Sequence, residues 1–208
     1  MSAGKISGDI YAGGNGQGSS IAGDSSVDFI GNGADIDFVG TVYGSGANGA
    51  TVGGEKSVNF GNSDTAFNGS FNGYLSGIDE LAVNSGSNVT FANSFSVDRF
   101  AIDTTSSATL AEGTSFSELS LIFNDDFGTG STFDFDLGAI FGDSTGIVES
   151  TLSDGSSKLF VVNSSGNEFE ASYEGGHFNV GAMVPEPGTY ALFFGLAATI
   201  IALYRRKR

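Results

Sequence analysis

The chain has 208 residues, with 24 acidic and eight basic side chains, 33 Gly, 19 Phe and no Cys. Only Glu186 among the acids lies after Val184, and four of the bases lie there too, so the preceding body holds 23 acids against four bases, a net charge of −19. That charge excludes nonspecific nucleic-acid binding and disfavours anionic lipid surfaces, and the missing Cys excludes disulfides and thiolate chemistry.

Residues 1–18, MSAGKISGDIYAGGNGQG, hold one Lys and no apolar run of signal-peptide length. A repeat pattern is already running by Ile6, which predicts a body truncated at its N-terminus. Segments 8–32 and 40–62 overlay: Ile10-Tyr11 on Val42-Tyr43, Asn15-Gly16 on Asn48-Gly49, and Ser26-Val27-Asp28-Phe29 on Ser57-Val58-Asn59-Phe60. The strand signal returns at Asn88-Val89-Thr90-Phe91 and Ser120-Leu121-Ile122-Phe123, placing Phe at 29, 60, 91 and 123. A fixed period near that size is the mark of a solenoid. Asn32, Asn62, Asn93 and Asn124 follow each Phe, either as a stacked amide ladder or as ordinary turn residues.

Apolar and polar residues alternate with period two at 35–38, 133–137 and 168–173, which predicts strands with one buried and one wet face. Aromatic abundance argues against disorder, and Gly, Asn and Asp supply the turns between short strands. The fold expected over residues 1–180 is therefore all-β, a right-handed parallel β-helix (β-solenoid), followed by a linker at 181–187. At low specificity this body resembles the Gly-rich repeats of autotransporter-like and adhesin-like surface proteins, through IYAGGNG, VYGSGANG and the SVDF and SVNF strands.

Candidate chemistry in the body is sparse. His177 is the only imidazole, so a Ser-His-Asp site would have to form around it. Asp134 and Asp136 at strand spacing would lie about 7 Å apart, near the separation inverting glycosidases use. Asp35 with Asp37 and Glu168 with Glu170 repeat that spacing, however, as a solvated strand face does. A polysaccharide lyase on this scaffold would need a base such as Arg99 or Lys158. Gly13-Gly14-Asn15-Gly16-Gln17-Gly18 is similar to the opening of a calcium-binding nonapeptide, but Gly18 stands where Asp is required. Asp125-Asp126 is the other candidate for weak Ca2+ binding. No enzyme, cofactor or metal site is expected. A calcium- or glycan-binding adhesin module is the alternative reading, and a polysaccharide-acting enzyme the third.

The tail, 184–208, reads VPEPGTYALFFGLAATIIALYRRKR. Pro185 and Pro187, the only prolines, hold the chain extended, so a helix can begin only after them. The uncharged stretch contains Tyr190, Leu192, Phe193, Phe194, Leu196, Ile200, Ile201, Leu203 and Tyr204, and a basic block of Arg205, Arg206, Lys207 and Arg208 follows. Its apolar residues cover every face of a helix, which predicts a transmembrane helix over 188–204. Such a span is short of the roughly 30 Å hydrocarbon core, with basic snorkelling and interfacial Tyr covering the deficit. The positive-inside rule would leave 205–208 in the cytoplasm.

Val184, Pro185-Glu186-Pro187, the apolar stretch and the terminal basic block together resemble the PEP-CTERM sorting signal of bacteria that carry an exosortase. The resemblance covers about the last 25 residues, and its three-part order is far more specific than any one part. It implies recognition at Pro-Glu-Pro by an exosortase-type membrane enzyme, cutting nearby, and an association with exopolysaccharide or biofilm matrix. Glu186 would be read by that enzyme rather than act as a catalyst. The implied localisation is insertion in the inner membrane through the C-terminal helix with the body extracytoplasmic, then the cell surface or matrix after processing.

Overall fold

The computed structural model describes residues 5–14, 16–31 and 37–184. The first strands are short: β1 (Lys5–Ser7), β2 (Ile10–Tyr11), β3 (Ser20–Ile21), β4 (Ser25–Phe29), β5 (Asp37–Val39), β6 (Thr41–Tyr43) and β7 (Thr51–Val52). The middle of the chain adds β8 (Lys56–Phe60), β9 (Asn68–Phe71), β10 (Tyr74–Ser76), β11 (Glu80–Val83), β12 (Asn88–Phe91), β13 (Ser96–Asp103), β14 (Ser107–Thr109) and β15 (Ser115–Ile122). Then come β16 (Thr132–Asp134), the short helices α1 (Gly138–Phe141) and α2 (Thr145–Ser153), and β17 (Lys158–Val162), β18 (Glu168–Glu174) and β19 (His177–Met183).

Neighbouring windings of the chain pair in parallel. One sheet runs β1-β5-β9-β12-β14, a second β2-β6-β10 and a third β3-β7. The largest is ordered β16-β19-β18-β17-β15-β13-β11-β8-β4. It is parallel from β4 to β17 and antiparallel from β17 through β18 and β19 to β16.

Three features correct the expected right-handed parallel β-helix with a C-terminal transmembrane helix. The sheets are mixed rather than uniformly parallel, and short connections are the cause. A parallel crossover needs a dozen or more residues, whereas a tight turn can only return antiparallel. Asn163 Oδ1 accepts from the N–H groups of Ser165 and Asn167, closing the β17–β18 turn. Gly175 and Gly176 at φ 60° and 91° close the two-residue β18–β19 hairpin, whose backbone requires two positive φ values.

The period is also uneven. Phe29 does pair with Phe60, but Phe60 pairs next with Val83 and Phe91 with Phe71. Register steps of 19 residues join Glu80 to Arg99 and Arg99 to Glu118, and the following step spans 40, from Glu118 to Lys158, because β16, α1 and α2 are inserted there. The equal Phe spacing therefore reflects an integer coincidence beyond its first step.

Finally, no described helix is long and apolar enough to cross a membrane. Nine-residue α2 would reach only about 13 Å of a roughly 30 Å core. This corrects the expected localisation, membrane insertion through a C-terminal helix with the body extracytoplasmic. The expected span 188–204, the basic block 205–208 and Pro185-Glu186-Pro187 lie outside the described residues.

Aromatic stacking fills the interior. Phe60 is fully buried, with ring centroids 5.1–5.3 Å from those of Phe29, Phe67, Phe71 and Phe91. Phe38 stacks on Phe71 at 5.3 Å and 8°. The register partners Phe29 and Phe60, and Phe38 and Phe71, meet face to face, whereas Phe71 meets its register partner Phe91 edge-on at 6.1 Å, the two geometries aromatic quadrupoles favour. Where windings meet without side chains, Gly is required: a Cβ on Gly44 would fall 2.0 Å from the carbonyl oxygen of Gly77.

Several acids that the sequence does not single out tie successive windings together. Asp9 Oδ1 accepts from Thr41 N–H and Asp24 Oδ1 from Glu55 N–H, both at 2.9 Å. Asp79 Oδ2 accepts from Lys56 N–H at 3.0 Å and from its Nζ at 2.6 Å. Of the two roles left open for the Asn series, Asn62 takes the turn role, its Oδ1 accepting from Asp64 and Thr65 N–H, while Asn93 Nδ2 donates to the Asn72 and Gly73 carbonyls. Asn32 lies outside the described residues.

Candidate functional site

A polar-rimmed cleft lies where the parallel ladder ends. After β15 the chain leaves the sheet through Asp125, Asp126 and Phe127 and returns as β16, antiparallel to β19. Asn163, itself buried, donates from Nδ2 to Asp126 Oδ1 at 3.1 Å and to the Phe127 carbonyl at 2.8 Å. Ser164 N–H donates to the Asp125 carbonyl. These bonds pin the 125–127 loop at a fixed distance from β16. Between them lies a cleft of about 470 Å³.

Its floor is aromatic. Phe123 meets Phe127, Phe133 and Phe135 edge-on at 5.7, 5.1 and 5.3 Å, and Phe133 stacks on Phe178 at 5.5 Å and 6°. Phe127, Phe133 and Phe135 are half-buried, so their rings reach the cleft. Asp125, Asp126 and Asp134 line it as well, and no basic side chain does. A second cavity, of about 320 Å³, shares Asp134 and Phe135 and adds Asp136 and Tyr173. Burial, with Glu149 and Asp136 nearby, pushes the Tyr173 phenol above its ordinary value.

The residues considered for catalysis are placed apart by role. His177 Nδ1 meets Asp134 Oδ1 at 2.5 Å across the β16–β19 pair, both side chains largely exposed. Among the described residues no hydroxyl completes a triad with them. Asp136 falls beyond the end of β16, and its Oδ1 accepts from Gly138 N–H at the start of α1. Both acids face water, the opposite of the apolar pocket that keeps a general acid protonated.

Arg99 and Glu168 form a structural knot on the outer side of the large sheet. Arg99 donates to Glu168 Oε1 at 2.5 Å and to Ser120 Oγ at 2.9 Å, and its Nε lies 3.4 Å from Glu80 Oε2. Burial holds the Glu80 carboxyl above its ordinary range, Arg99 partly offsets this, and Glu55 and Glu168 add to it. Lys158 is the register partner of Glu118, and Glu170 is exposed. Asp35 and Asn15 lie outside the described residues. Among those described, no group of three His, Asp or Glu side chains gathers where it could hold a metal.

Sequence reasoning missed the cleft because its walls come from two segments joined by Asn163, far away in the chain. The density of Phe at 123, 127, 133 and 135 was the available signal. Of the residues expected to form a processing motif, Val184 is described and Pro185, Glu186 and Pro187 lie outside the described residues. Val184 donates its N–H to the Glu168 carbonyl at 2.8 Å. Comparison with protein-family models, with curated proteins and with solved structures found no match.

Proposed function

We propose that this chain is an exported, non-enzymatic structural protein whose Pro-Glu-Pro tail is read and cut by an exosortase-type transpeptidase, with matrix polysaccharide as its surroundings. The observation that carries the reading is the order of the tail, in which Pro185-Glu186-Pro187, an uncharged apolar stretch and the basic block Arg205-Arg206-Lys207-Arg208 follow one another. A cut near Pro185-Glu186-Pro187 would lie C-terminal to every described core residue.

The roles of the body's acids support the non-enzymatic part. Asp9, Asp24 and Asp79 join windings, Asp136 starts a helix, and Glu80 and Glu168 hold Arg99. The test replaces Glu186 by Gln in a host that has an exosortase. The expected outcome is retention of the tail by Glu186→Gln and its loss from the parent, read by intact mass. Equal processing of both would remove Glu186 from the recognition step.

A further inference from the structure

Strand β16 closes one side of the largest sheet and, among the described residues, has a partner on one flank alone, β19. Phe135 N–H donates to the Gly176 carbonyl, and the Ser131 carbonyl accepts from Val180 N–H, so the odd-numbered residues turn their backbone groups toward β19. By the alternation of an antiparallel ladder, Thr132 and Asp134 turn theirs to the free flank. The cleft lies along that flank. All five consecutive residues 131–135 line it, as a strand edge does, whereas a sheet face would contribute every second residue.

We propose that this cleft binds an extended basic peptide, which adds to the β16 edge as a further strand. Strand addition draws affinity from main-chain hydrogen bonds and selectivity from what receives alternate side chains. Thr132 and Asp134 supply the main-chain groups. On the floor, half-buried Phe127, Phe133 and Phe135 would take aliphatic side chains, while Asp125, Asp126 and Asp134 offer carboxylate oxygens to Lys or Arg, Asp134 Oδ1 already meeting His177 Nδ1 and Asp126 Oδ1 accepting from Asn163 Nδ2. The occupant is assigned as basic because only acids among the ionisable groups line the cleft and the surrounding body carries a large negative charge.

The test uses the full chain and a fluorescein-labelled peptide, acetyl-Lys-Val-Lys-Val-Lys-Val-Lys-amide, followed by fluorescence anisotropy. Saturable binding is expected, with the Glu-Val counterpart failing to bind. Thr132→Pro removes the outward N–H without touching a bond to β19, a position where edge strands tolerate Pro, and should weaken binding about tenfold or more. Asp125→Asn should weaken it about twofold, reflecting an exposed charge pair. Alternate N-methylation of the peptide tests the same bonds against unaltered protein, so the result stands even if Thr132→Pro does not fold. Absence of binding overturns the proposal. So does binding that survives both Thr132→Pro and N-methylation, which would reduce the contact to charge attraction.

Discussion

Truncating Phe60 should be among the most damaging single changes to this fold. Its side chain is 0% exposed and lies within 5.3 Å, centroid to centroid, of four other rings drawn from three windings. Phe60→Ala loses the transfer energy of a buried ring and leaves a cavity that four planar neighbours cannot collapse to fill, a cost of about 3–5 kcal/mol. Aromatic pairs each contribute about 0.5–1.5 kcal/mol beyond buried area, which places the expected loss at the upper end, near 4–5 kcal/mol. Against a total stability of roughly 5–15 kcal/mol, that is about a quarter of the fold or more. Equilibrium urea unfolding would read it as a lower midpoint with unchanged slope. Half-buried Phe135 has fewer enclosing partners, and Phe135→Ala should lose less than half as much. A loss below about 1.5 kcal/mol for Phe60→Ala, or one no larger than for Phe135→Ala, would refute the stacked aromatic core.

Further outcomes follow from the winding contacts and the charged knot. Gly44→Ala should cost about 3 kcal/mol or more, since its Cβ meets a backbone oxygen at 2.0 Å, whereas Gly128→Ala, with nothing within 4 Å, should leave the melting temperature unchanged or slightly raised. Arg99→Met strands Glu80 and Glu168, whose side chains remain 26% and 23% exposed; solvent screening limits the expected loss in a denaturant titration to about 1–2 kcal/mol. Glu80 has a raised folded-state value, mainly through burial. Its contribution is thus complete below the ordinary 4.5 and is lost as pH rises through the folded value. Glu80→Gln lacks that loss, so the stability difference should move in favour of the variant between about pH 4 and pH 7, and a pH-independent difference would contradict it.

Local strands were legible and their long-range partners were not. The overlay of Val27-Asp28-Phe29 on Val58-Asn59-Phe60 was a true register, visible because the intervening 31-residue winding repeats its turns. Asn59 Nδ2 even donates to Asp28 Oδ1 at 2.7 Å across that rung. From Phe60 onward windings shorten, and a Phe at an equal interval pairs elsewhere, because register follows turn length rather than residue identity. The antiparallel end was readable in principle from Glu174-Gly175-Gly176-His177, a two-residue Gly-Gly hairpin between alternating strands. Asn163 was readable only as a turn residue, through its Oδ1 bonds to Ser165 and Asn167 N–H, since its two Nδ2 bonds depend on loop 125–127 being folded back beside it. The acids illustrate the same limit. Asp9, Asp24 and Asp79 belong to no sequence motif, and only the stacking of windings turns them into backbone acceptors.

The reading of the tail as a detachable address rests on the order of Pro185-Glu186-Pro187, the uncharged apolar stretch and the basic block Arg205-Arg206-Lys207-Arg208. Intact mass spectrometry of the protein made in paired strains, one with an exosortase and one without, tests it most directly. The account predicts a C-terminus near Pro185-Glu186-Pro187 in the first strain and the complete tail through Arg208 in the second. A complete tail in both strains would contradict it.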